Sequence, residues 1–226
     1  MTAVMTRGSG QTSRALLVAC AVTLCAAVRV SAATLAVSLH QRDGQPLPGA
    51  VVTVESLGKP LPAAQPVVAI MDQVDLAFVP DVLIVPVNSS VHFPNSDAVS
   101  HQVYSFSSAR RFQLPLYRGK PYPPVKFDQP GIITLGCNIH DQMLAYIFVT
   151  DAPLFARTDA RGEHHFATLA PGRYRLRIWH PLLDEPQEVV RTVEVEGERD
   201  SVMISLTLSR KLRPAPLSDR PHSWDY

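Results

Sequence analysis

Apolar and polar side chains alternate with a period of two along most of this chain, and that alternation constrains the fold most strongly. Residues 174–178, 189–195 and 202–208 follow it most clearly, and turns rich in proline and glycine separate such stretches. Alternation of this kind is typical of half-buried β-strands, because successive side chains point to opposite faces of a sheet. The sequence therefore predicts an all-β protein.

The predicted strands fall into three groups. Residues 35–39 and 50–54 flank a turn rich in glycine and proline, which predicts that these two strands pair. A second group covers residues 82–87, 90–93, 101–106, 132–136 and 145–149, and a third covers 174–178, 189–195 and 202–208. Residues 210–226 combine charge and proline without periodicity, which predicts a flexible tail.

The N-terminus carries the features of a secretory signal peptide. Arg7 and Arg14 precede an apolar stretch of 14 residues, 15–28, and small residues then lead to Ala32. This stretch is shorter than the roughly 20 residues of a comfortable membrane span, although an uncleaved anchor is the alternative. We expect a signal peptide at 1–32, cleavage near Ala32 and a periplasmic mature protein without a membrane span.

Processing would change both the charge and the cysteine content. Without the arginines of the leader the chain has 18 basic and 20 acidic residues, so no nucleic-acid or anionic-membrane surface is implied. Cys137 would be the single cysteine left in an oxidising compartment. An unpaired secreted thiol is reactive, bonded between molecules or bound to metal.

Four soft or borderline donor side chains are available to one metal ion. Cys137, His140 and Met143 lie within one short run, and His101 precedes Cys137 by 36 residues. Thiolate, two imidazoles and a thioether form the donor set of mononuclear copper sites, in which methionine is a weak axial ligand. Zinc fits less well, because a closed structural zinc site takes a fourth cysteine, histidine or carboxylate. The donor set predicts one copper ion.

Interpretations without copper stay open. Cys137 and Met143 are both residue types that pack well in apolar cores, where each could act only as a filler. Cys137 with His140 could form a hydrolase pair, but that chemistry needs an orienting group and an oxyanion hole, and the sequence indicates neither. Four further histidines are interpreted as structural or solvated: His92, His164, His165 and His180.

Residues 93–97, which lead into His101, and the Cys-x₂-His-x₂-Met spacing from Cys137 to Met143 carry a family resemblance. On these residues the segment 67–153 resembles a cupredoxin, and its short ligand loop resembles that of amicyanin. The resemblance implies a Greek-key sandwich and a type 1 Cu(II)/Cu(I) site. It also implies that His101 is the upstream imidazole, Cys137 the thiolate, His140 the second imidazole and Met143 the axial thioether.

Short motifs extend the resemblance over most of the predicted mature chain. Residues 91–95, 103–107, 135–141 and 179–181 look like bacterial methylamine utilization proteins, which implies an association with amine oxidation.

Two positions depart from the cupredoxin pattern. Gln102 stands where cupredoxins commonly place an asparagine that pins the ligand loop, and Asp141 puts a carboxylate beside His140. We expect Asn95 to supply part of the pinning.

Glycine- and proline-rich motifs also stand on both sides of this segment, at 43–54 before it and at 158–162 and 169–174 after it. They resemble the carboxypeptidase regulatory-like, transthyretin-related β-sandwich. We expect 33–66 and 154–209 to form one such sandwich, with the cupredoxin domain 67–153 inserted into it. A tandem of two small domains is the alternative, but the first segment alone is too short to bury a core.

Four protein ligands on one copper ion would leave no coordination position for a substrate. We therefore expect an electron carrier and no enzyme, with the edge of His140 as the electron port near residues 114–116. The implied partners are a redox donor and acceptor, both unidentified. The alternative is a copper-binding chaperone, sensor or interaction protein, for which the added sandwich would serve as a docking module.

Overall fold

The computed structural model describes residues 33–119, 122–183, 188–197 and 199–208. These residues form 17 β-strands and no helix, as the alternation predicts. None of the described segments forms an apolar helix long enough to cross a membrane. The predicted signal peptide at 1–32 and the predicted tail at 210–226 lie outside the described residues.

The first and last strands of the described chain form two facing sheets, which we call the outer sandwich. One sheet has the order β14-β1-β17 and the other the order β13-β2-β15-β16. The strands are β1 (Ala33–Gln41), β2 (Val51–Ser56), β13 (Leu154–Arg157), β14 (Glu163–Leu169), β15 (Gly172–Trp179), β16 (Val189–Val195) and β17 (Arg199–Leu206). Their inward side chains, including Leu35, Val54, Leu176 and Ile204, share one buried apolar cluster.

The prediction that the first two strands pair is wrong. β1 pairs with β14 and in parallel with β17, whereas β2 pairs with β13 and β15. Val37 of β1 and Val52 of β2 instead lie in opposite sheets around the same core. Each strand buries its apolar face in that core, so alternation alone does not distinguish strands that pair from strands that face one another.

The strands between residues 68 and 150 form a second set of sheets, which we call the inner sandwich. Its sheets have the orders β10-β7-β3, β6-β12-β11-β8-β9 and β4-β5. The strands are β3 (Val68–Ile70), β4 (Asp72–Val74), β5 (Ala77–Val79), β6 (Val82–Pro86), β7 (Ser89–His92), β8 (His101–Ser105), β9 (Phe112–Tyr117), β10 (Val125–Phe127), β11 (Gly131–Gly136) and β12 (Leu144–Thr150). Phe93, Phe127, Ile133 and Ile147 lie in its buried core.

A third apolar cluster joins the two sandwiches. Val82 and Phe148 of the inner sandwich pack with Val51 and Trp179 of the outer one. Arg157 adds polar contacts across the same boundary, because its guanidinium donates to the Asp81 carboxylate at 3.0 Å and to the Val82 carbonyl at 3.1 Å. The outer sandwich therefore covers the part of the five-stranded sheet around Val82 and Phe148, on the face that points away from the core of the inner sandwich.

Candidate metal centre

Neighbouring strands bring the predicted donors together. His101 is the first residue of β8, and Cys137 directly follows β11, which pairs antiparallel with β8. His140 and Met143 lie in the loop between β11 and β12, where the Met143 N–H donates to the His140 carbonyl at 2.9 Å. The pairing of β8 with β11 thus closes a gap of 36 residues in the sequence.

Three donor atoms converge. His101 Nδ1 lies 3.1 Å from His140 Nδ1, and Cys137 Sγ lies 3.9 Å from the former and 3.8 Å from the latter. His101 is fully buried, Cys137 is 3% exposed, and His140 is half-buried. Met143 is buried and packs in the same apolar cluster as Cys137.

The three converging donors fit a single transition-metal ion. Bonds of about 2.0–2.1 Å to nitrogen and about 2.3 Å to sulfur limit two donors on one ion to a separation of about 4.4 Å. All three separations lie below that limit. Within the described residues this is also the set of three histidine, cysteine or acidic side chains whose ligand atoms lie close enough to hold a metal.

Asp97 supports His101 from the side away from Cys137. Its Oδ2 lies 2.6 Å from His101 Nε2, and its carboxylate also accepts the N–H groups of Asp75 at 2.6 Å and Leu76 at 2.9 Å. Burial raises the pKa of the Asp97 carboxyl, but these hydrogen bonds outweigh it and hold that pKa below its usual range. Asp97 is therefore an anion that accepts three hydrogen bonds.

Hydrogen bonds between side chains and the backbone fix the surroundings of Cys137 and of the segment that carries Asp97. The Gln102 N–H points at Cys137 Sγ at 3.5 Å, a contact that withdraws electron density from a thiolate. The Asn95 side chain donates to the carbonyls of Val99 and Tyr117 and accepts the Asp97 N–H. Asn95 thus holds the loop before β8 against β9.

A buried polar network lies beside this loop. The Gln73 side chain donates to the Tyr117 hydroxyl at 2.6 Å and to the Pro94 carbonyl at 2.9 Å, and Tyr117 donates to the Phe93 carbonyl at 2.5 Å. Burial raises the pKa of Tyr117 to about 12, although the hydrogen bond from Gln73 opposes the rise. Tyr117 therefore stays a neutral hydroxyl that fixes the chain leading to His101.

Sequence reasoning gave Asp97 no role, although a carboxylate four residues before a candidate histidine ligand was a usable signal. The position of the Asp97 carboxylate depends on the turn between β4 and β5, which lies about twenty residues away in the sequence.

Among the histidines interpreted as structural or solvated, His180 is buried, and its Nδ1 accepts a hydrogen bond from the Leu182 N–H at 3.1 Å.

No protein-family model matches the chain. No curated protein matches it.

Several copper proteins of known structure are similar to part of the chain. A copper-containing nitrite reductase from Thermus scotoductus SA-01 is 27% identical over 44% of this chain and 25% of its own, with a TM-score of 0.35. A purple cupredoxin from Nitrosopumilus maritimus is 20% identical over 36% of this chain and 99% of its own, with a TM-score of 0.33. A reduced Cu(I) amicyanin variant is 20% identical over 44% of this chain and 98% of its own, with a TM-score of 0.34. The chain therefore spans about a quarter of the nitrite reductase.

Proposed function

We propose that this protein binds one copper ion through His101, Cys137 and His140, that Met143 would hold the ion more weakly, and that the protein carries single electrons between redox partners. The observation that carries the proposal is the convergence of two imidazole nitrogens and one thiol sulfur within 3.1–3.9 Å. Two nitrogens and one sulfur in this arrangement, with a buried methionine nearby, suit copper better than any other common metal. Copper so bound would supply reversible one-electron chemistry between Cu(II) and Cu(I).

The protein groups hold the donors in one arrangement. His101 is oriented by the Asp97 carboxylate, and Cys137 receives the Gln102 N–H. The apolar core around Cys137 and Met143 excludes water from that side of the site. A rigid donor set of this kind lowers the structural change that accompanies gain or loss of an electron.

His140 provides the route to solvent. Its ring is half-buried, whereas His101 is fully buried, so His140 is the ligand through which a partner would exchange electrons. The neighbouring Ile139 is 51% exposed and Leu144 is 54% exposed, which gives this edge an apolar rim. With four protein ligands the site would have no position for a substrate, and we propose no enzymatic turnover.

A copper chaperone, sensor or interaction protein is the competing function. Delivery of copper needs ligands that a partner can reach, and the burial of His101 and Cys137 favours retention of the ion. Reversible voltammetry with slow copper loss supports the electron carrier. Rapid transfer of Cu(I) to a chelator without stable redox cycling supports the chaperone instead.

We further propose a periplasmic location after cleavage near Ala32, with a redox donor and acceptor in the same compartment. The charged and apolar pattern of residues 1–32 supports export. A link to amine oxidation is proposed from the short sequence motifs alone. Mass spectrometry of the protein recovered from periplasmic extracts tests the cleavage, and an intact N-terminus would contradict it.

The first test is the visible and EPR spectrum of the copper-loaded, oxidised protein beside its ligand variants. The wild type should show an intense thiolate-to-copper band and narrow copper hyperfine splitting. Cys137→Ser should abolish the band, because serine supplies no thiolate, and His140→Ala should destroy the same band by opening the coordination sphere. Met143→Leu conserves the core volume and should keep a thiolate band with a changed reduction potential.

His165→Ala provides the matched histidine control, since His165 lies on β14 of the outer sandwich. Its spectrum should equal that of the wild type. An unchanged spectrum in Cys137→Ser or in His140→Ala would refute the assignment of these ligands.

A further inference from the structure

We propose that Asp97 is a positioning residue that keeps the His101 proton on Nε2, so that the Nδ1 lone pair is free and aimed between His140 and Cys137. The inference rests on the proposed function, because the purpose of a free Nδ1 is to bind the copper ion. Asp97 itself is not a ligand, since it contacts the ring nitrogen on the opposite side from the converging donors.

A short hydrogen bond joins Asp97 to His101. The Asp97 Oδ2 to His101 Nε2 distance is 2.6 Å, and the side chains are 11% and 0% exposed, respectively. An ionised carboxylate can only accept a hydrogen bond, so Nε2 must carry the hydrogen. In a neutral imidazole the other nitrogen then has a free lone pair.

The Asp97 carboxylate is itself held in place. Asp75 and Leu76 form the turn between β4 and β5, and both have positive φ angles, 50° and 59°. That conformation directs their two N–H groups at the Asp97 carboxylate, at 2.6 and 2.9 Å. The Asp97 N–H is held in turn by the Asn95 side chain at 3.0 Å. The carboxylate therefore has a defined position from which to orient the ring.

Asp97 prevents the alternative tautomer of His101, in which Nδ1 carries the hydrogen. His101 Nδ1 and His140 Nδ1 lie 3.1 Å apart, which is a good distance for a hydrogen bond between the rings. A hydrogen on His101 Nδ1 would satisfy that bond and occupy the lone pair that the ion needs. The carboxylate makes this tautomer unfavourable, because it would leave an anion facing an unprotonated Nε2.

The negative charge of Asp97 would also affect the bound ion. A carboxylate hydrogen-bonded to a ligating histidine raises the basicity of the ligand, and loss of such a partner typically costs 10–100-fold in metal affinity. The anion also stabilises the more positive Cu(II) ion more than Cu(I). Removal of Asp97 should therefore weaken Cu(II) binding more than Cu(I) binding and raise the reduction potential.

The first experiment compares Asp97→Asn with the wild type in the full-length protein. We expect Cu(II) affinity, measured by chelator competition, to fall 10–100-fold, with a smaller fall for Cu(I) and a higher reduction potential. The thiolate-to-copper band should persist, because Cys137 is untouched. Asp141→Asn is the matched control, since it removes an exposed carboxylate beside His140 in the ligand loop. Equal effects of the two variants would overturn the proposal, because they would reduce Asp97 to a distant charge.

The second experiment needs neither a variant nor copper. Nitrogen-15 NMR of the metal-free wild type at mildly alkaline pH reports which imidazole nitrogen of His101 carries the hydrogen. We expect Nε2–H, and a hydrogen on Nδ1 would overturn the proposal even if Asp97→Asn failed to fold. If His101 is held as Nε2–H and the wild type binds no copper, the proposed function fails while the positioning by Asp97 stands.

Discussion

At the scale of single residues, His180 is the histidine of the described chain whose pKa departs most from its ordinary value. Its ring is 7% exposed, and its Nδ1 accepts the Leu182 N–H at 3.1 Å. Burial lowers the pKa of His180 to about 4, and nearby Arg157 lowers it further, against a weaker opposite effect of Asp81. The folded structure therefore requires a neutral His180 ring, because protonation of Nδ1 would remove the acceptor of the Leu182 N–H.

This histidine gives the folded protein a specific pH dependence. In the unfolded chain His180 should titrate near its ordinary value of 6.5, whereas in the folded protein it titrates near 4. Between these values the unfolded state binds the additional proton, so the free energy of unfolding falls as the pH is lowered from about 6.5 to about 4. A shift of this size corresponds to a loss of about 3 kcal/mol.

We expect His180→Asn to flatten this part of the pH profile. The variant should be less stable than the wild type near neutral pH, and the difference should shrink by about 3 kcal/mol towards pH 4. Urea unfolding at a series of pH values measures both curves. His165→Gln, which replaces an exposed histidine, should keep the wild-type slope. A variant curve parallel to the wild type would show that His180 is not the titrating group.

The residue scale also shows how much of the candidate site was visible in the sequence. Donor chemistry and spacing alone singled out His101, Cys137 and His140, and the structure brings their donor atoms together. Whether Met143 is a ligand stays a prediction. The spacing of Asp97 and His101 was a usable signal for a contact between them, but the sequence does not show that the distant turn at Asp75 and Leu76 holds the Asp97 carboxylate in place.

At the scale of elements, the turn between β13 and β14 shows how a short motif fixes a sheet. The Asp159 side chain accepts the N–H groups of Arg161 and Glu163, and the Gly162 carbonyl accepts the Leu39 N–H of β1 at 2.8 Å. Gly162 has a φ of 73°, and a Cβ there would stand against the Leu39 carbonyl oxygen and 2.8 Å from Leu47 N. Both the backbone conformation and the space require glycine.

We expect Gly162→Ala to destabilise the protein by about 3 kcal/mol, since it combines an unfavourable positive φ with backbone overlap. Gly44→Ala is the matched control, because Gly44 has a φ of 85° but nothing within 4 Å of an added Cβ. That control should cost about 1 kcal/mol, the conformational part alone. Thermal and urea unfolding measure both. Equal losses would show that the close approach to β1 carries no cost.

At the scale of the whole molecule, the pairing of β2 with β13 brings two distant points of the described chain together. Leu154 of β13 pairs with Val54 of β2, so the two ends of the intervening segment lie side by side in one sheet. Without that segment, β2 and β13 would be consecutive strands of a hairpin. We infer from this register that residues 67–153 form an inserted domain and that 33–66 and 154–209 form its host.

The insertion predicts that each part folds without the other. The fragment 67–153 should bind copper with the spectrum of the full protein, although exposure of Val82 and Phe148 should lower its stability by about 3–6 kcal/mol. A chain in which a two-residue Asn-Gly turn replaces residues 57–151 should retain a folded outer sandwich, because Ser56 then lies opposite Ala152, in register with the Val54–Leu154 pair. Circular dichroism and visible spectra test both. Two unfolded fragments would refute the division and make the sandwiches one cooperative unit.

The sequence by itself determined the all-β character, the turns and the chemical nature of the donor set, because these depend on local periodicity, proline and glycine content, and side-chain type. Only the tertiary structure decided which strands pair. It placed β1 and β2 in opposing sheets, set β8 beside β11, and carried the turn at Asp75 and Leu76 to Asp97. Such choices depend on contacts between segments far apart in the chain, and alternation within one strand specifies which face is buried but not which neighbour it meets.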